Sequence, residues 1–194
     1  MPRPKLLTDS PKREAILNAA LEVFVERGFH GATMPEIADV AGVGTGTLYR
    51  YFLTKETLVN ELFRHWKTTF ASEVVSADLA SDARGILHIL WRGMWAFQKK
   101  HPKVVRFLEL HHHAPYLDEE SRRVEERILA PLRAFVETAQ RLKQIRRLPP
   151  ELLIAMVHGA FLGLLHAEAR HQIAISDDLL DHAEEGIWAM LGGQ

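Results

Sequence analysis

Along this 194-residue chain the apolar residues recur at intervals of three and four, and no stretch sustains the alternation of a strand. The pattern predicts an all-α protein of about nine helices. Ser10-Pro11 starts the first, whose stripe Ile16, Leu17, Ala20, Leu21 and Phe24 runs to Gly28. Thr33 is placed to cap a second helix, with Glu36 reaching back to the Thr33 amide and Ile37, Ala38 and Ala41 facing inward. Gly42, free to take positive φ, stops that helix, and Val43 plugs the turn. Thr45 then caps a third helix with Leu48 and Phe52 on its inner face. Thr54 caps a fourth, through Leu58, Leu62, Trp66 and Phe70, that runs to about Val75 as a connector. A fifth helix is expected over residues 83–100, a sixth over 102–113, and a seventh over 118–147, kinked at Pro131 by a lost hydrogen bond. Pro149-Pro150 separates these from the run PELLIAMVHGAFLGLLHAEARH and from a last helix over 177–191.

The third helix carries the chemistry. Its outward face holds Thr45, Gly46, Thr47, Tyr49, Arg50 and Tyr51, an assembly of hydroxyls and one guanidinium that no core requires. A helix, a sharp turn and a second short helix with such a face point to a helix-turn-helix that reads nucleic acid.

The pattern AxxxFxxxGFxxATMxEIAxxAGVxxGTLYRYFxxKExL resembles the DNA-binding domain of TetR-family transcriptional regulators. The match runs from about Ile16 to Leu62 and includes Phe24, Gly28, Phe29, Thr33, Ile37, Ala38, Ala41, Gly42, Val43, Gly46, Leu48, Tyr49, Tyr51, Phe52 and Lys55. Pro35 departs from it, standing where a polar residue is often found; in the first helical turn it is structurally harmless but removes one phosphate or base contact. The resemblance implies a ligand-responsive, usually repressing homodimer. It also implies that Thr33, Tyr49, Tyr51 and Lys55 hold phosphates of double-stranded operator DNA, while Thr45, Gly46, Thr47 and Arg50 face the bases. The expected organisation is a three-helix DNA-binding domain over residues 1–53, with a basic N-terminal arm, and a helical ligand-binding and dimerisation domain over residues 54–194.

Net charge is only −1, so basic character is local: Arg3, Lys5, Lys12 and Arg13 against Asp9 give the first thirteen residues +3 by count, an arm suited to phosphates or simply a solubilising tail. Zero cysteines exclude disulfides and thiolate chemistry and fit a reducing cytoplasm. No run is expected to reach the ~20 apolar residues of a membrane span, and the start lacks the apolar core of a signal peptide. A cytoplasmic location without a membrane partner is expected. With no cysteine nucleophile, GxSxG or phosphate loop, an enzyme is not expected, nor is a cofactor.

Ala155, Gly159, Gly163 and Ala167 recur every fourth position in the eighth helix. Interior glycines cost about 1 kcal/mol each relative to alanine, so a close-packed neighbour is implied. That neighbour is either inside the subunit or a symmetry mate, the eighth and last helices, with Gly186 and Met190, then forming a four-helix dimer interface. The resemblance favours the second. Trp91, Trp95, Phe107, His111, Tyr116 and Phe135 are candidates to line an apolar pocket for a small-molecule effector, or else plain core. The triplet His111, His112 and His113 does not suggest a metal, because successive helical residues point ~100° apart; Glu109 with His113 would still need further ligands. A ligand-independent, architectural DNA-binding protein of the same fold is the alternative, distinguished by a filled core where the effector would sit.

Overall fold

The computed structural model describes residues 11–75, 82–112, 114–171 and 173–192. Nine α-helices and no strand occur among the described residues. They are α1 (Pro11–Gly31), α2 (Met34–Val40), α3 (Thr45–Tyr51), α4 (Lys55–Phe70), α5 (Ala83–Lys100), α6 (Pro102–His111), α7 (Glu119–Arg141), α8 (Pro150–His171) and α9 (Asp177–Leu191). A π-helical turn, Ala71–Val75, prolongs α4 to the point that its apolar spacing predicts. Arg3, Lys5 and His113 lie outside the described residues.

The chain divides into two compact units: one holds residues up to Phe70 with Phe97–Glu125, the other Ala71–Ala96 with the residues from Glu126 on. Helix α6 packs on both α1 and α4 and so joins the first unit.

In the first unit α1 is the central element, packed by α2, α4 and α6. Ile16, Phe24, Ile37, Leu48, Phe52, Leu58, Phe63 and Phe107 are fully enclosed. Gly28 adopts φ 67°, breaking the helical path within α1. The break turns Phe29 onto Tyr116, whose ring lies 3.8 Å away and nearly parallel. Gly42 takes φ 64° and hands the chain from α2 to the turn, as its place in the sequence requires.

Two local expectations change. Thr33 caps α2 by accepting the Glu36 N–H at 3.3 Å, but Glu36 does not reach back; its carboxylate pairs with Arg27 at 3.4 Å. Thr45 is the first residue of α3 rather than its cap, which is Gly44. The Gly44 carbonyl accepts from Thr47 and Leu48 at 2.8 and 3.1 Å, so the backbone starts the helix unaided by a hydroxyl.

In the second unit Trp91 is fully buried, donates its indole N–H to the Leu180 carbonyl at 3.1 Å and meets Phe161 edge-on. Gly93 allows close approach, since a Cβ there would come within 3.3 Å of Val74. Along α5 and α9, His88 contacts buried Glu184 at 2.9 Å, and Arg92 pairs with Asp177 and Asp181. Helix α7 continues through Pro131 and ends at Arg141, six residues before its expected end. Lys143 takes φ 59°, and the Gln140 amide donates to the carbonyls of Arg146 and Leu148 at 2.8 and 2.6 Å, which folds the segment back and stops the helix. Helix α6 likewise ends at His111 rather than 113, His112 having extended backbone.

Candidate nucleic-acid interface

The recognition surface is built on a small, fixed base. Leu48 of α3 and Phe52, the residue that caps its C-terminus, are fully buried, and the Arg13 guanidinium lies 5.6 Å from the Phe52 ring centre while pairing with Glu61 of α4. Lys12 and Arg13 therefore belong to α1 and not to a free arm, and Arg13 is engaged in clamping α1 to α4. Within α3 only Leu48 is buried. Tyr49 is 43% exposed, Arg50 is exposed, and Thr45, Thr47 and Tyr51 are half-buried.

Gly46 has no positive φ, and a Cβ built on it would meet nothing within 4 Å. The fold does not demand glycine there. The absent side chain suits a position where a partner comes close to the backbone.

Thr33 is exposed at the start of α2, and its capping bond uses an oxygen lone pair, leaving the hydroxyl proton to donate outward. Lys55 is half-buried; its Nζ donates to the Ala32 carbonyl at 2.8 Å and sits 4.6 Å from the centre of the Phe29 ring. One of its three donors is thus spent on the joint between α1 and α2. The eight positions expected to read DNA all lie in the segment from Thr33 to Lys55 of the first unit.

The expected pocket residues do not gather in one unit. Phe107, His111 and Tyr116 belong to the first and Trp91, Trp95 and Phe135 to the second. Phe107 is fully buried 6.3 Å from Phe24, and His111, 4.4 Å from Phe107, shares a 2.6 Å hydrogen bond with the Tyr116 hydroxyl. Burial lowers the His111 pKa to about 4, so this imidazole is neutral near pH 7, while burial raises that of Tyr116. Helix periodicity could not separate these residues, because it reports a buried face and not its neighbours. No cluster of three or more metal-ligating side chains occurs among the described residues.

The small-residue face of α8 is open. Ala155, Gly159 and Gly163 are exposed, Ala167 is half-buried, and Cβ atoms built on Gly159, Gly163 and Gly186 would meet nothing within 4 Å. Among the described residues nothing lies within 4 Å of a Cβ built on either glycine of the stripe. By length and composition residues Pro150–Arg170 are apolar enough to cross a membrane, against the sequence expectation, yet only 17% of the most apolar window is buried. Its leucines, alanines, isoleucine, valine and phenylalanine keep the average apolar although glycines and histidines interrupt the run to the eye.

A polar cluster went unnoticed in the sequence: Asn60, Arg64, Asp118 and Ser121, joined by hydrogen bonds of 2.8–3.1 Å. Its one sequence signal is an asparagine set between Val59 and the apolar pair Leu62 and Phe63.

Two family models match the chain. Residues 16–62 match the bacterial regulatory proteins of the tetR family, and residues 63–191 match the tetracyclin repressor-like C-terminal domain. The HTH-type transcriptional regulator UidR of Escherichia coli is 46% identical over 52 residues, 27% of this chain and 26% of its own length; the chain thus spans about a quarter of that relative. The HTH-type regulator YhgD of Bacillus subtilis is 27% identical over 161 residues, covering 79% of this chain and 82% of the relative. Among solved structures, a TetR-family regulator from a Shewanella species superposes with TM-score 0.78 at 28% identity, covering 94% and 96% of the two chains. One from Marinobacter aquaeolei gives TM-score 0.85 at 22% identity with the same coverages, a likeness of fold.

Proposed function

The chain belongs to the TetR family of bacterial regulatory proteins, which are DNA-binding and non-enzymatic, and from that premise we propose that it represses as a homodimer on a pseudo-palindromic operator and is released by a small molecule. The observation that carries the reading is α3: a helix that buries Leu48 alone and turns Tyr49 and Arg50 outward on a clamped base. In this reading residues 1–53 bind DNA and residues 54–194 bind the effector and dimerise. Two α3 helices enter successive major grooves about one DNA turn apart, ~34–36 Å. Thr33, Tyr49, Tyr51 and Lys55 hold phosphates; Thr45, Gly46, Thr47 and Arg50 face base edges.

The dimer forms through α8 and α9. The open stripe of Ala155, Gly159, Gly163 and Ala167, with Gly186 and Met190 of α9, supports this, because an apolar helix left exposed in one chain needs a cover. Release follows if the effector binds the wrongly spaced state better, since a ligand shifts an equilibrium only by its differential affinity. In this reading the effector is apolar or aromatic and binds in the second unit, where Trp95 and Phe135 are the candidate lining residues. The protein acts in the cytoplasm.

A ligand-independent regulator is the second reading. It is favoured by the complete enclosure of Trp91 and Phe107, which behave as filled core.

Selection of bound sequences from a random DNA pool tests the main reading: two inverted half-sites separated by a fixed spacer are expected, and a single unrepeated site would overturn the dimeric reading. A small molecule that raises the melting temperature and weakens operator binding over one concentration range selects the first reading over the second.

A further inference from the structure

Four hydrogen bonds converge on one side-chain amide in the middle of α4. Asn60 is 2% exposed and lies among Val59, Leu62 and Phe63, all buried. Its Nδ2 donates to the carbonyls of Glu56 and Tyr116, each at 2.8 Å. Its Oδ1 accepts from the Asp118 N–H and the Ser121 hydroxyl, again each at 2.8 Å. A primary amide offers two donors and two acceptor lone pairs, so its whole capacity is used. Only the Glu56 bond stays inside α4. The other three go to residues 116–121, the end of the link from α6 and the first turn of α7.

Neighbours complete the arrangement. Arg64, one turn along α4, donates to both Asp118 carboxylate oxygens at 3.0 and 2.9 Å and to the Ser121 hydroxyl at 3.1 Å. Ser121 is fully buried, and its N–H donates to Asp118 at 2.8 Å. Leucine at position 60 would fill similar space with no polar group to desolvate. Apolar replacements of buried polar groups are often neutral or stabilising, so a saturated polar cluster in an apolar helix face is better explained by geometric selectivity. A slip of α4 by one turn, about 5.4 Å, or a rotation about its axis would strand every member of the cluster.

The same segment touches the reading end. The Tyr116 ring stacks on Phe29 at 3.8 Å. Phe29 carries the Lys55 ammonium at 4.6 Å, and that ammonium holds the Ala32 carbonyl at 2.8 Å, one residue before the α2 cap. We propose that Asn60 is a positioning residue for operator recognition: it locks α4 in one register against residues 116–121, and through Tyr116, Phe29 and Lys55 it fixes the angle at which α2 and α3 are presented. That angle decides which half-site spacing the dimer accepts. The inference rests on the dimeric operator reading above.

Asn60→Leu in the full chain tests it, with binding measured on the wild-type operator and on versions whose spacer is one base pair shorter, one longer and two longer. Circular dichroism and thermal melting are followed in parallel. The variant is expected to keep helical content and the base preference of each half-site while its discrimination between spacers falls at least tenfold. A merely structural residue would alter the melting temperature and leave the spacer profile alone; that result overturns the proposal. If Asn60→Leu fails to fold, Ser121→Ala, which removes a single bond of the four, is read in the same way: a flattened spacer profile is expected, and an unchanged one overturns the proposal. Wild-type protein indifferent to spacing would overturn the dimeric reading and the proposal together, whereas a selective wild type with an equally selective variant defeats the proposal alone.

Discussion

The Lys55 ammonium rests 4.6 Å from the centre of the Phe29 ring, so a residue that resemblance assigns to phosphate also clamps the base of the reading domain. A cation–π contact contributes about 0.5–1 kcal/mol at such sites, and a hydrogen bond from a charged donor, here to Ala32, about 1.5–3 kcal/mol. Lys55→Ala is therefore expected to lower unfolding stability by about 2–4 kcal/mol and to weaken binding to all DNA sequences. Tyr49→Ala, at an exposed position, should weaken binding as broadly but stay within about 0.5 kcal/mol of wild-type stability. Urea unfolding beside titrations on operator and scrambled duplexes measures both. A Lys55→Ala protein with the wild-type unfolding midpoint would remove the clamp.

Arg50 is exposed on α3 and forms no ion pair among the described residues, so its replacement spares the fold. Arg50→Ala should relax preference at one operator position by about 1–3 kcal/mol, the value of a bidentate contact to guanine. Competition with single-base operator variants checks this. Undiminished preference at every position would mean that Arg50 touches only phosphate.

Gly163 is exposed and a Cβ built on it meets nothing within 4 Å, so Gly163→Leu starts its side chain in open space and replaces a poor helix former. The expected product is a monomer with full or increased helical content and lost operator binding, since one half-site supplies part of the affinity. Sedimentation reads the mass directly, and a persistent dimer would place the interface elsewhere.

Stability should fall in acid in two windows. The folded-state pKa of His111 is about 4 because of burial, below its ordinary 6.5, so between those values the unfolded chain binds the proton that the folded chain refuses. Its contribution is complete above pH 6.5 and is lost toward pH 4, amounting to as much as about 3 kcal/mol. Glu125, whose carboxylate is held to about 2 by the His112 hydrogen bond and by Lys67, contributes above its ordinary 4.5 and loses that contribution toward pH 2. Urea midpoints from pH 7.5 to 4.5 should fall for wild type and be flatter for His111→Phe. Equal slopes for the two would show that His111 is not the proton-linked group.

The reading domain was legible in the sequence because its signals are local. Helix starts at Pro11 and Thr33, the positive-φ stop at Gly42, and the buried pair Leu48 and Phe52 each depend on residues a few positions apart. The limits of α5 and α9 were legible for the same reason, apolar spacing ending at a proline or glycine. Where a partner outside the helical repeat competed, local reading failed. Glu36 chose Arg27 over its own cap, Arg13 was drawn to Glu61 and Phe52, and α7 stopped early when Gln140 captured carbonyls beyond the turn.

What the sequence by itself determined is the succession of helices and the outward chemistry of α3, since both follow from spacing and from which residue types a core excludes. Only the tertiary structure decided that His111 packs on Phe107 and bonds Tyr116 in the first unit while Trp91 is sealed in the second, that the α8 stripe is uncovered, and that Asn60 spends three of its four hydrogen bonds on residues 116–121. Periodicity states that a side chain is turned inward. Which groups it meets there depends on contacts between residues some fifty positions apart, and those contacts exist only once the chain has folded.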